Sequence, residues 1–289
     1  MKERYSLGII GHPIGHSLSP VMHAAAARAN GLGPGEFSYE RFDVKPDDLA
    51  TFMRRFRDGA MTGLNVTVPH KVAVMELLDE IDHDAQAIGA VNTIVRRGAK
   101  LRGHNTDVYG FIRSIAENAG MTDLSYKKAL VYGAGGAARA VARGLVNGGV
   151  ESLAVVNRTC DTAREMVAKL GGGAGFSAMG FDETKSLIET VRGADIIVNT
   201  TSMGMEGGTD PEGVPPGAGH IRSGQLVVDI VYSPLMTPLL KKAAAAGART
   251  LDGLWMLIHQ GGKAFEMWTG LRFPDKEVRA AVERGLEIK

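Results

Sequence analysis

The sequence predicts an α/β protein of two domains, each built on a sheet that helices cover. Short apolar runs over 5–11, 153–157 and 194–199 are bounded by turn-forming residues, as buried strands are. Amphipathic segments lie between such runs, for example 46–56, which has acids in its first turn and Gly59 beyond its end. Strands that alternate with helices form parallel sheets with right-handed crossovers. A chain of 289 residues that is 44% hydrophobic is large enough for two such cores.

One stretch, 129–138, combines a buried strand, a glycine turn and the start of a helix. Gly133 allows the strand to turn sharply, Gly135 allows backbone to approach a pyrophosphate, and Ala138 replaces a third glycine where helix packs on strand. The N–H groups that open the helix then face a diphosphate, with the positive end of the helix dipole behind them. The stretch therefore predicts a doubly wound, Rossmann-type domain that binds a dinucleotide.

The end of the next strand indicates which dinucleotide is bound. Asn157, Arg158 and Thr159 stand there, at the point where the adenosine ribose of a dinucleotide lies in this fold. An acidic residue at this point would hold the free 2′-OH of NAD, and the sequence has none there. Because a guanidinium suits a 2′-phosphate, Arg158 favours NADP as the cofactor.

Composition excludes several other classes of protein. The formal net charge of +1, with both signs mixed along the chain, gives no long-range field for a nucleic acid or an anionic membrane. No apolar run reaches membrane-spanning length, and residues 1–4 lead directly into a strand without a signal-peptide core, so we expect a cytoplasmic protein. Cys160 is the single cysteine, which excludes an internal disulfide and a cysteine-based metal site.

Two serines stand at the predicted start of the first helix. Pro20 suits the first helical position, and Ser19 before it is a good N-cap. Ser17 has no capping role in this pattern, so its hydroxyl is free to donate to a ligand carboxylate. His12 and His16 are four residues apart, but the proline and glycine between them exclude the helix that would make them a metal pair.

Lys71 is a candidate functional residue because its predicted position is locally unfavourable. The strand over 63–68 stops at Pro69, which predicts a helix over 72–81 and places Lys71 in its first turn. A cation in that turn opposes the helix dipole. A solvated surface lysine is the other interpretation, and the residues alone leave both open.

Polar residues also precede the helix that leads into the second domain. A hairpin is predicted over 91–96 and 100–104, and Thr106 or Asp107 after it can cap the following helix. Further along, 171–175 is predicted to be a flexible glycine loop, because no strand precedes it.

The segment 252–260 is predicted to open a long helix. On pattern alone, Trp255 and Met256 are packing residues, and Gln260 is either a solvated helix position or a ligand contact. A C-terminal amphipathic helix is predicted over 276–286.

Five motifs, taken in order, resemble those of the shikimate dehydrogenase family along nearly the whole chain. They are P-I-G-H-S-L-S-P at 13–20, N-V-T-V-P-H-K at 65–71, N-T-D at 105–107, the glycine turn at 133–138 with N-R-T at 157–159, and D-G-L-W-M-L-I-H-Q at 252–260. The resemblance implies that residues 1–107, completed by the C-terminal helices of 254–289, bind substrate. It implies that residues 108–253 form the NADP-binding Rossmann domain.

The resemblance also assigns roles to individual residues. Lys71 and Asp107 are implied to be the catalytic pair of a reversible reduction of 3-dehydroshikimate to shikimate by NADPH, with no metal ion. In this reaction the lysine, held beside a carboxylate, gives its proton to the oxygen that becomes alkoxide-like. The side chains implied to bind the substrate are those of Ser17, Ser19, Thr67, Asn92, Tyr232 and Gln260. The residues implied to contact the cofactor are Gly133, Ala134, Gly135, Gly136, Ala137, Ala138, Asn157, Arg158, Thr159, Thr201, Gly253 and Met256.

The sequence is compatible with several alternatives for cofactor binding, substrate and activity. Thr162 stands where many relatives carry a second basic residue, so a 2′-phosphate is expected to depend on Arg158 with help from Thr159 or Arg164. A quinate dehydrogenase, or a broad quinate/shikimate dehydrogenase that uses NAD, would share the same catalytic pair. An alternative of another class is a sensor that binds shikimate-like acids and NADP without turnover. The sequence does not determine the oligomeric state, for which a homodimer is one option.

Overall fold

A computed structural model describes residues 4–171 and 173–287 of the chain. It confirms the predicted α/β class, since strands and helices alternate along both halves of the chain. The predicted lead-in over 1–4 and the predicted loop over 171–175 each fall partly outside these described residues.

The chain forms two compact units, each with its own six-stranded sheet. The first unit contains the residues up to Gly110 together with those from Ile258 onward, and the second unit is Phe111–Leu257. The sequence predicts domain boundaries after residues 107 and 253, a few positions from these points. The chain passes from one unit to the other at two points, and both points lie inside helices, where no turn signal in the sequence marks a boundary.

The first unit begins with six strands and four helices. Their bounds are β1 Tyr5–Gly11, α1 Ser19–Ala29, β2 Phe37–Asp43, α2 Leu49–Asp58, β3 Gly63–Val66, β4 Glu80–Ile81, α3 His83–Ile88, β5 Thr93–Arg97, β6 Lys100–His104 and α4 Asp107–Arg113. The sheet order is β2-β1-β3-β5-β6-β4. Strands β1, β2 and β3 are parallel, whereas β5 runs antiparallel to both β3 and β6, which confirms the predicted hairpin.

The core of the first unit lies against this sheet. Ile10, Leu64 and Ile94, from three neighbouring strands, are fully buried in one cluster with Phe56 of α2. Burying an apolar side chain of this size contributes about 1.5 to 3 kcal/mol, so the cluster holds strand and helix together. This rigid sheet supports the loops that follow β1 and β3.

The predicted helix over 72–81 is wrong. Residues 69–72 form turns, Ala73–Leu77 is a short 3₁₀ helix, and the chain then enters β4. The reason is tertiary: the N–H of Asp79 donates to the carbonyl of Leu101 at 3.0 Å, and Asp79 Oδ2 accepts the N–H of Leu101 at 2.7 Å. Pairing with the sheet edge satisfies the backbone that a helix would otherwise satisfy, so local propensity is overridden.

The predicted N-cap role of Ser19 is also wrong, because α1 begins at Ser19 itself and no side chain caps it. Leu18 before it has helical angles, φ −88° and ψ −4°. The N–H of Ser19 instead donates to Ser17 Oγ at 3.3 Å. Ser17 therefore has a local acceptor role that the sequence did not predict, while its own O–H stays available as a donor.

The second unit is a parallel α/β sheet, and the chain then returns to the first unit. The bounds are β7 Lys128–Tyr132, α5 Gly136–Asn147, β8 Ser152–Val156, α6 Cys160–Lys169, β9 Phe176–Met179, α7 Thr184–Gly193, β10 Ile196–Asn199, β11 Leu226–Asp229, α8 Pro238–Ala245, β12 Arg249–Leu251, α9 Gly253–Thr269 and α10 Asp275–Glu287. Within residues 4–171 and 173–287, every helix falls short of what crossing a bilayer requires.

The strand order of the second sheet is β12-β11-β10-β7-β8-β9, with all neighbours parallel. The chain moves outward from β7 to β9 and then returns to β10 on the other side of β7. This reversal is the switch point at which doubly wound sheets bind ligands, outside the carboxyl ends of the strands. The glycine turn after β7 lies at this point.

Strand β9 and helix α7 are not predicted from the sequence. Strand β9 is short, lies at the sheet edge and has no fully buried residue, so it lacks the continuous apolar run of β10 or β11. Edge strands of this kind carry a weak sequence signal because only one side of them is paired.

Candidate active site

Lys71 and Asp107 form a close ion pair in the first unit. The distance from Lys71 Nζ to Asp107 Oδ2 is 2.6 Å, and the side chains are 16% and 7% exposed. A charge-assisted hydrogen bond of this length is strong because little water competes for it. The pair therefore places a cationic proton donor at a fixed point with limited solvent access.

Turn geometry rather than a helix positions Lys71. The N–H of His70 donates to the carbonyl of Thr67 at 2.9 Å, which closes the turn after β3. The carbonyl of Lys71 accepts the N–H of Val91 at 2.8 Å, and the His70 ring lies 2.6 Å from the carbonyl of Val44 through Nε2. These bonds fix the backbone on both sides of the lysine. The predicted unfavourable placement against a helix dipole therefore does not arise.

Asp107 stands at the start of α4 with both carboxylate oxygens engaged. Asn92 Nδ2 donates to Oδ1 at 2.7 Å, while Lys71 donates to Oδ2. The N–H of Asp107 donates to Asn105 Oδ1 at 3.0 Å. Because each oxygen has its own donor, the carboxylate is held in one orientation.

Asn92 connects this pair to the predicted substrate residue Gln260. Its Oδ1 accepts the N–H of Thr106 at 2.8 Å and the O–H of Thr93 at 3.0 Å, so its Nδ2 must face the other way. There it donates to Asp107 and, at 3.3 Å, to Gln260 Oε1. The structure thus brings Lys71, Asn92, Asp107 and Gln260 together, as the family resemblance implies.

The sequence does not predict the roles of three residues in this network. They are Tyr39, Asn65 and Thr106, of which only Thr106 is predicted at all, as a possible helix cap. The Tyr39 hydroxyl donates to Asn65 Oδ1 at 2.7 Å, and Asn65 Nδ2 donates to Thr93 Oγ1 at 3.1 Å. Burial raises the pKa of Tyr39 well above its ordinary value, although the Ser19 hydroxyl opposes this, so the phenol stays a donor. A buried asparagine inside the apolar strand β3 is the one signal that could have pointed to this network.

Ser17, Ser19 and Thr67 lie in the segments that follow the neighbouring parallel strands β1 and β3 of the first unit. Ser17 and Ser19 follow β1, and Thr67 directly follows β3 and donates its N–H to the carbonyl of Ile10 at 2.9 Å. Ser19 is buried, and Ser17 and Thr67 are half-buried. Hydroxyl groups at adjoining strand ends suit a polar ligand such as a carboxylate.

The glycine turn of the second unit suits a diphosphate. Gly133 has φ +103°, and a side chain there would meet Thr200 Oγ1 at 2.5 Å. Gly135 is the N-cap of α5 without a side-chain capping bond, and a Cβ added there would have no atom within 4 Å. Without such a cap, the first-turn N–H groups of α5 are available to a phosphate group, as they are at other helix starts that bind anions.

Arg158 follows β8 and is exposed. Among the described residues it forms no hydrogen bond or ion pair, so its guanidinium is available to a ligand. Arg164 pairs with Asp161 at 2.8 Å and is less available. Asn157 Nδ2 donates to the carbonyl of Thr159 at 3.0 Å, which shapes the loop that carries Arg158.

The remaining predicted residues of the second unit differ in how accessible they are. Met256 is 7% exposed and belongs to the hydrophobic core, as its pattern indicates, so its cofactor contact stays a prediction. A side chain at Gly253 would overlap the carbonyl of Ile230, so close packing requires glycine there. Tyr232 is half-buried, and burial raises its pKa. Ala134 is buried and Ala138 packs in the same core as Met256.

A buried carboxyl holds the loop that carries Thr201. Asp229 accepts hydrogen bonds from Asn199 Nδ2 at 2.9 Å, the N–H of Val231 at 3.1 Å and the Thr237 hydroxyl at 2.7 Å. Asn199 Oδ1 in turn accepts the Thr201 hydroxyl at 2.7 Å. Asp229 thereby joins the ends of β10 and β11 to the start of α8.

Burial raises the pKa of Asp229 to about 6, although its three hydrogen-bond donors oppose the shift. An unfolded Asp titrates near pH 4, so the native state binds this proton more tightly and the group stabilises the fold most at low pH. That stability is lost as pH rises through about 6. We expect the stability of Asp229→Asn relative to wild type to improve by about 2 to 3 kcal/mol between pH 4 and pH 7.

Urea unfolding of both proteins across this pH range measures the difference. Asp195→Asn is the control, because Asp195 lies in the same unit, is half-buried and has a side chain that accepts only a backbone N–H from Lys128. A difference between wild type and Asp229→Asn that does not change with pH would contradict the raised pKa.

The described residues contain no group of three or more His, Cys, Asp or Glu side chains that could hold a metal ion. His12 lies 2.7 Å from Asp43 Oδ1 through Nδ1, and His16 is exposed. Cys160 opens α6 as a half-buried residue.

Three family models match the chain in succession. Their descriptions are "Shikimate dehydrogenase substrate binding domain" for residues 9–94, "Shikimate / quinate 5-dehydrogenase" for residues 114–230 and "Shikimate 5'-dehydrogenase C-terminal domain" for residues 253–283. The first model covers the strands and turns that carry Lys71 and Asn92. The second covers the glycine turn and Arg158, and the third covers Gln260.

Similar proteins extend over nearly the full length. Shikimate dehydrogenase (NADP(+)) of Moorella thermoacetica is 44% identical over 285 residues, 96% of this chain and 93% of that protein. The crystal structure of shikimate 5-dehydrogenase from Thermus thermophilus in complex with NADP(H) and shikimate is 38% identical, with a TM-score of 0.85, and covers 97% of this chain and 99% of that one. Quinate dehydrogenase from Corynebacterium glutamicum in complex with NAD is 33% identical, with a TM-score of 0.87, and covers 98% of this chain and 99% of that one.

Proposed function

This chain belongs to the shikimate dehydrogenase family, and from that premise we propose that it reversibly reduces 3-dehydroshikimate to shikimate with NADPH, using Lys71 and Asp107 as its acid–base pair. The observation that carries the proposal is the 2.6 Å contact between Lys71 Nζ and Asp107 Oδ2 in a setting with little solvent. A catalytic acid needs this arrangement, whereas a non-catalytic sensor does not.

Proton transfer is the part of the reaction that the first unit performs. The Lys71 ammonium donates a proton to the carbonyl oxygen of 3-dehydroshikimate as that oxygen gains negative charge. The hydride for the carbonyl carbon comes from bound NADPH. Asp107 holds the lysine in one orientation between transfers, and oxidation of shikimate uses the neutral lysine as the base. The ammonium supplies both the proton and the positive charge.

Substrate binding uses the polar groups that surround this pair. We assign Asn92 and Gln260 to the ring hydroxyls of the substrate, because both amides belong to the hydrogen-bond network around Asp107. Ser17, Ser19 and Thr67 supply hydroxyl donors for the carboxylate. Tyr232 of the second unit is included through the family resemblance. On this basis the first unit is the substrate domain and the second is the cofactor domain.

NADP binding uses the glycine turn and the loop after β8. The open first-turn N–H groups of α5 would hold the diphosphate, and Arg158 would hold the 2′-phosphate. Two features support NADP binding here. The backbone at Gly135 is uncovered, and Arg158 has no ion-pair partner among the described residues.

Arg158→Ala is expected to raise KM for NADP by about tenfold to a hundredfold and to leave kcat within about twofold. A charge-assisted hydrogen bond contributes about 1.5 to 3 kcal/mol, and exposure together with Thr162 favours the lower end. NAD has no 2′-phosphate, so its kcat/KM should hardly change. The comparison is kcat/KM for both cofactors in both proteins.

Arg164→Ala is the matched control, because Arg164 lies on the helix that follows the same loop but is paired with Asp161. We expect it to change KM for NADP by less than about threefold. An equal loss for NADP and NAD in Arg158→Ala, or equal kcat/KM for both cofactors in wild type, would reject the role of Arg158.

Quinate dehydrogenase activity is the second candidate, because one structural neighbour has that name and was solved with NAD. Purified protein should be assayed with shikimate or quinate and with NADP or NAD, in all four combinations, by the absorbance of the reduced nicotinamide. We expect shikimate with NADP to give the highest kcat/KM. A preference for quinate with NAD would replace the proposed function, and binding without turnover would indicate a sensor. A cytoplasmic location, and a homodimer as one option, stay predictions from the sequence.

A further inference from the structure

The loop over 12–18, which presents Ser17, is attached to β2 by two charged side chains. Arg41 Nε and Nη2 both donate to the carbonyl oxygen of Ser17, at 3.0 and 2.7 Å. His12 Nδ1 lies 2.7 Å from Asp43 Oδ1. Arg41 and Asp43 are two residues apart on a strand, so both side chains leave the same face of the sheet. One strand thus holds the loop near both of its ends.

The backbone of Ser17 is constrained on both sides. Its N–H donates to the carbonyl of Ile14 at 3.1 Å, and its carbonyl accepts the two bonds from Arg41. Its Oγ accepts the N–H of Ser19 at 3.3 Å. Among the described residues, the hydroxyl O–H of Ser17 donates to no acceptor. By holding the Ser17 backbone, Arg41 therefore helps to orient this hydroxyl donor.

Arg41 also contributes charge at this place. It is exposed, and among residues 4–171 and 173–287 no carboxylate forms an ion pair with it. Arg57 in the same unit differs, since it pairs with Asp79 at 2.6 Å. The Arg41 guanidinium uses one edge for the Ser17 carbonyl, and its Nη1 has no described partner. A positive charge without an ion-pair partner among the described residues therefore lies at the residue that carries this hydroxyl donor, which suits an anionic ligand group.

We propose that Arg41 is a positioning residue for the substrate carboxylate: it fixes Ser17 as a donor and adds an attractive positive charge beside it. The inference rests on the proposed function, in which Ser17 binds the carboxylate of shikimate. Arg41 contacts the backbone of Ser17 and, among the described residues, forms no hydrogen bond with Lys71, Asn92 or Asp107. Its loss should therefore weaken substrate binding equally in the ground and transition states.

Arg41→Met tests this role, because methionine keeps an unbranched apolar stem and removes the donors and the charge. We expect KM for shikimate to rise about tenfold, with kcat within about twofold and KM for NADP unchanged. Arg41→Lys keeps the charge but lacks the planar pair of N–H groups that converge on the Ser17 carbonyl oxygen, so we expect a rise of about threefold. Arg54→Met is the matched control, since Arg54 is exposed on α2 of the same unit and bonds only Thr51.

Salt dependence separates the charge from the hydrogen bonds. Raising the ionic strength from about 20 mM to about 200 mM should raise KM for shikimate more in wild type than in Arg41→Met. The Ser17→Ala background isolates the positioning part. Arg41→Met should raise KM by only about threefold there, because no hydroxyl is left to position. Thermal unfolding of each variant verifies that it is folded. If Arg41→Met does not fold, Arg41→Lys replaces it in these measurements.

Each outcome decides the role of Arg41. A selective rise in KM for shikimate, smaller without the Ser17 hydroxyl, supports it. Wild-type turnover together with an unchanged KM in both folded Arg41 variants, or an equal loss of kcat, would overturn the inference and leave the proposed function intact. A wild type that oxidises no shikimate would overturn both.

Discussion

Replacing Lys71 by alanine is expected to lower kcat for shikimate oxidation by about 10²- to 10⁴-fold, the range for a positioned acid–base group. The lysine nitrogen is 2.6 Å from Asp107 and has little contact with solvent, so water cannot readily take its place. The dissociation constant for shikimate should stay within about tenfold, roughly 1.4 kcal/mol, because the proton is needed mainly in the transition state. Steady-state kinetics and calorimetric titration measure the two quantities.

Lys100→Ala is the matched control for this experiment. Lys100 belongs to the same unit and pairs with Glu80 at 2.8 Å, but this pair is exposed and lies at the sheet edge. We expect its removal to leave kcat unchanged and to alter stability little, because water screens an exposed ion pair. If Lys71→Ala instead raises KM and leaves kcat intact, Lys71 is a binding residue and not the acid.

The fold class was predictable because its signals are local. Strand, turn and helix in the stretch around Gly133 follow from a short apolar run and the conformations that only glycine adopts, and the structure gives Gly133 a φ of +103°. Buried strands such as β10 show as continuous apolar runs. The edge strand β9 and the segment after Lys71 were missed because distant backbone partners, and not their own sequence, decide their conformation.

The candidate site divides in the same way. Lys71, Asp107 and Gln260 could be found because they stand in ordered motifs, although the local argument for Lys71 used a helix that does not exist. Tyr39 and Asn65 could not be found, since their importance arises from the pairing of β2, β1, β3 and β5, which aligns residues far apart in the chain. Sequence spacing alone does not give that register.

Asp107→Asn is expected to lower kcat about a hundredfold, the low end of the range for acid–base catalysis. Asp107 accepts from Asn92 on one oxygen and from Lys71 on the other, so both neighbours are donors. An amide has only one acceptor oxygen and must turn its NH₂ toward one of these donors, which breaks that bond. Glu80→Gln, which breaks the exposed pair with Lys100, is the matched control and should leave kcat unchanged.

The double variant Lys71→Ala/Asp107→Asn shows whether the carboxylate acts through the lysine. If Asp107 only orients Lys71, then its loss has no further effect once the lysine is absent, and the double variant should have the kcat of Lys71→Ala within about threefold. If Asp107 also contacts the substrate in the transition state, the two losses should multiply. Its 7% exposed carboxylate has both oxygens occupied by Asn92 and Lys71, so we expect the non-additive result. Measuring kcat for the four proteins at one pH and saturating NADP decides between the two roles.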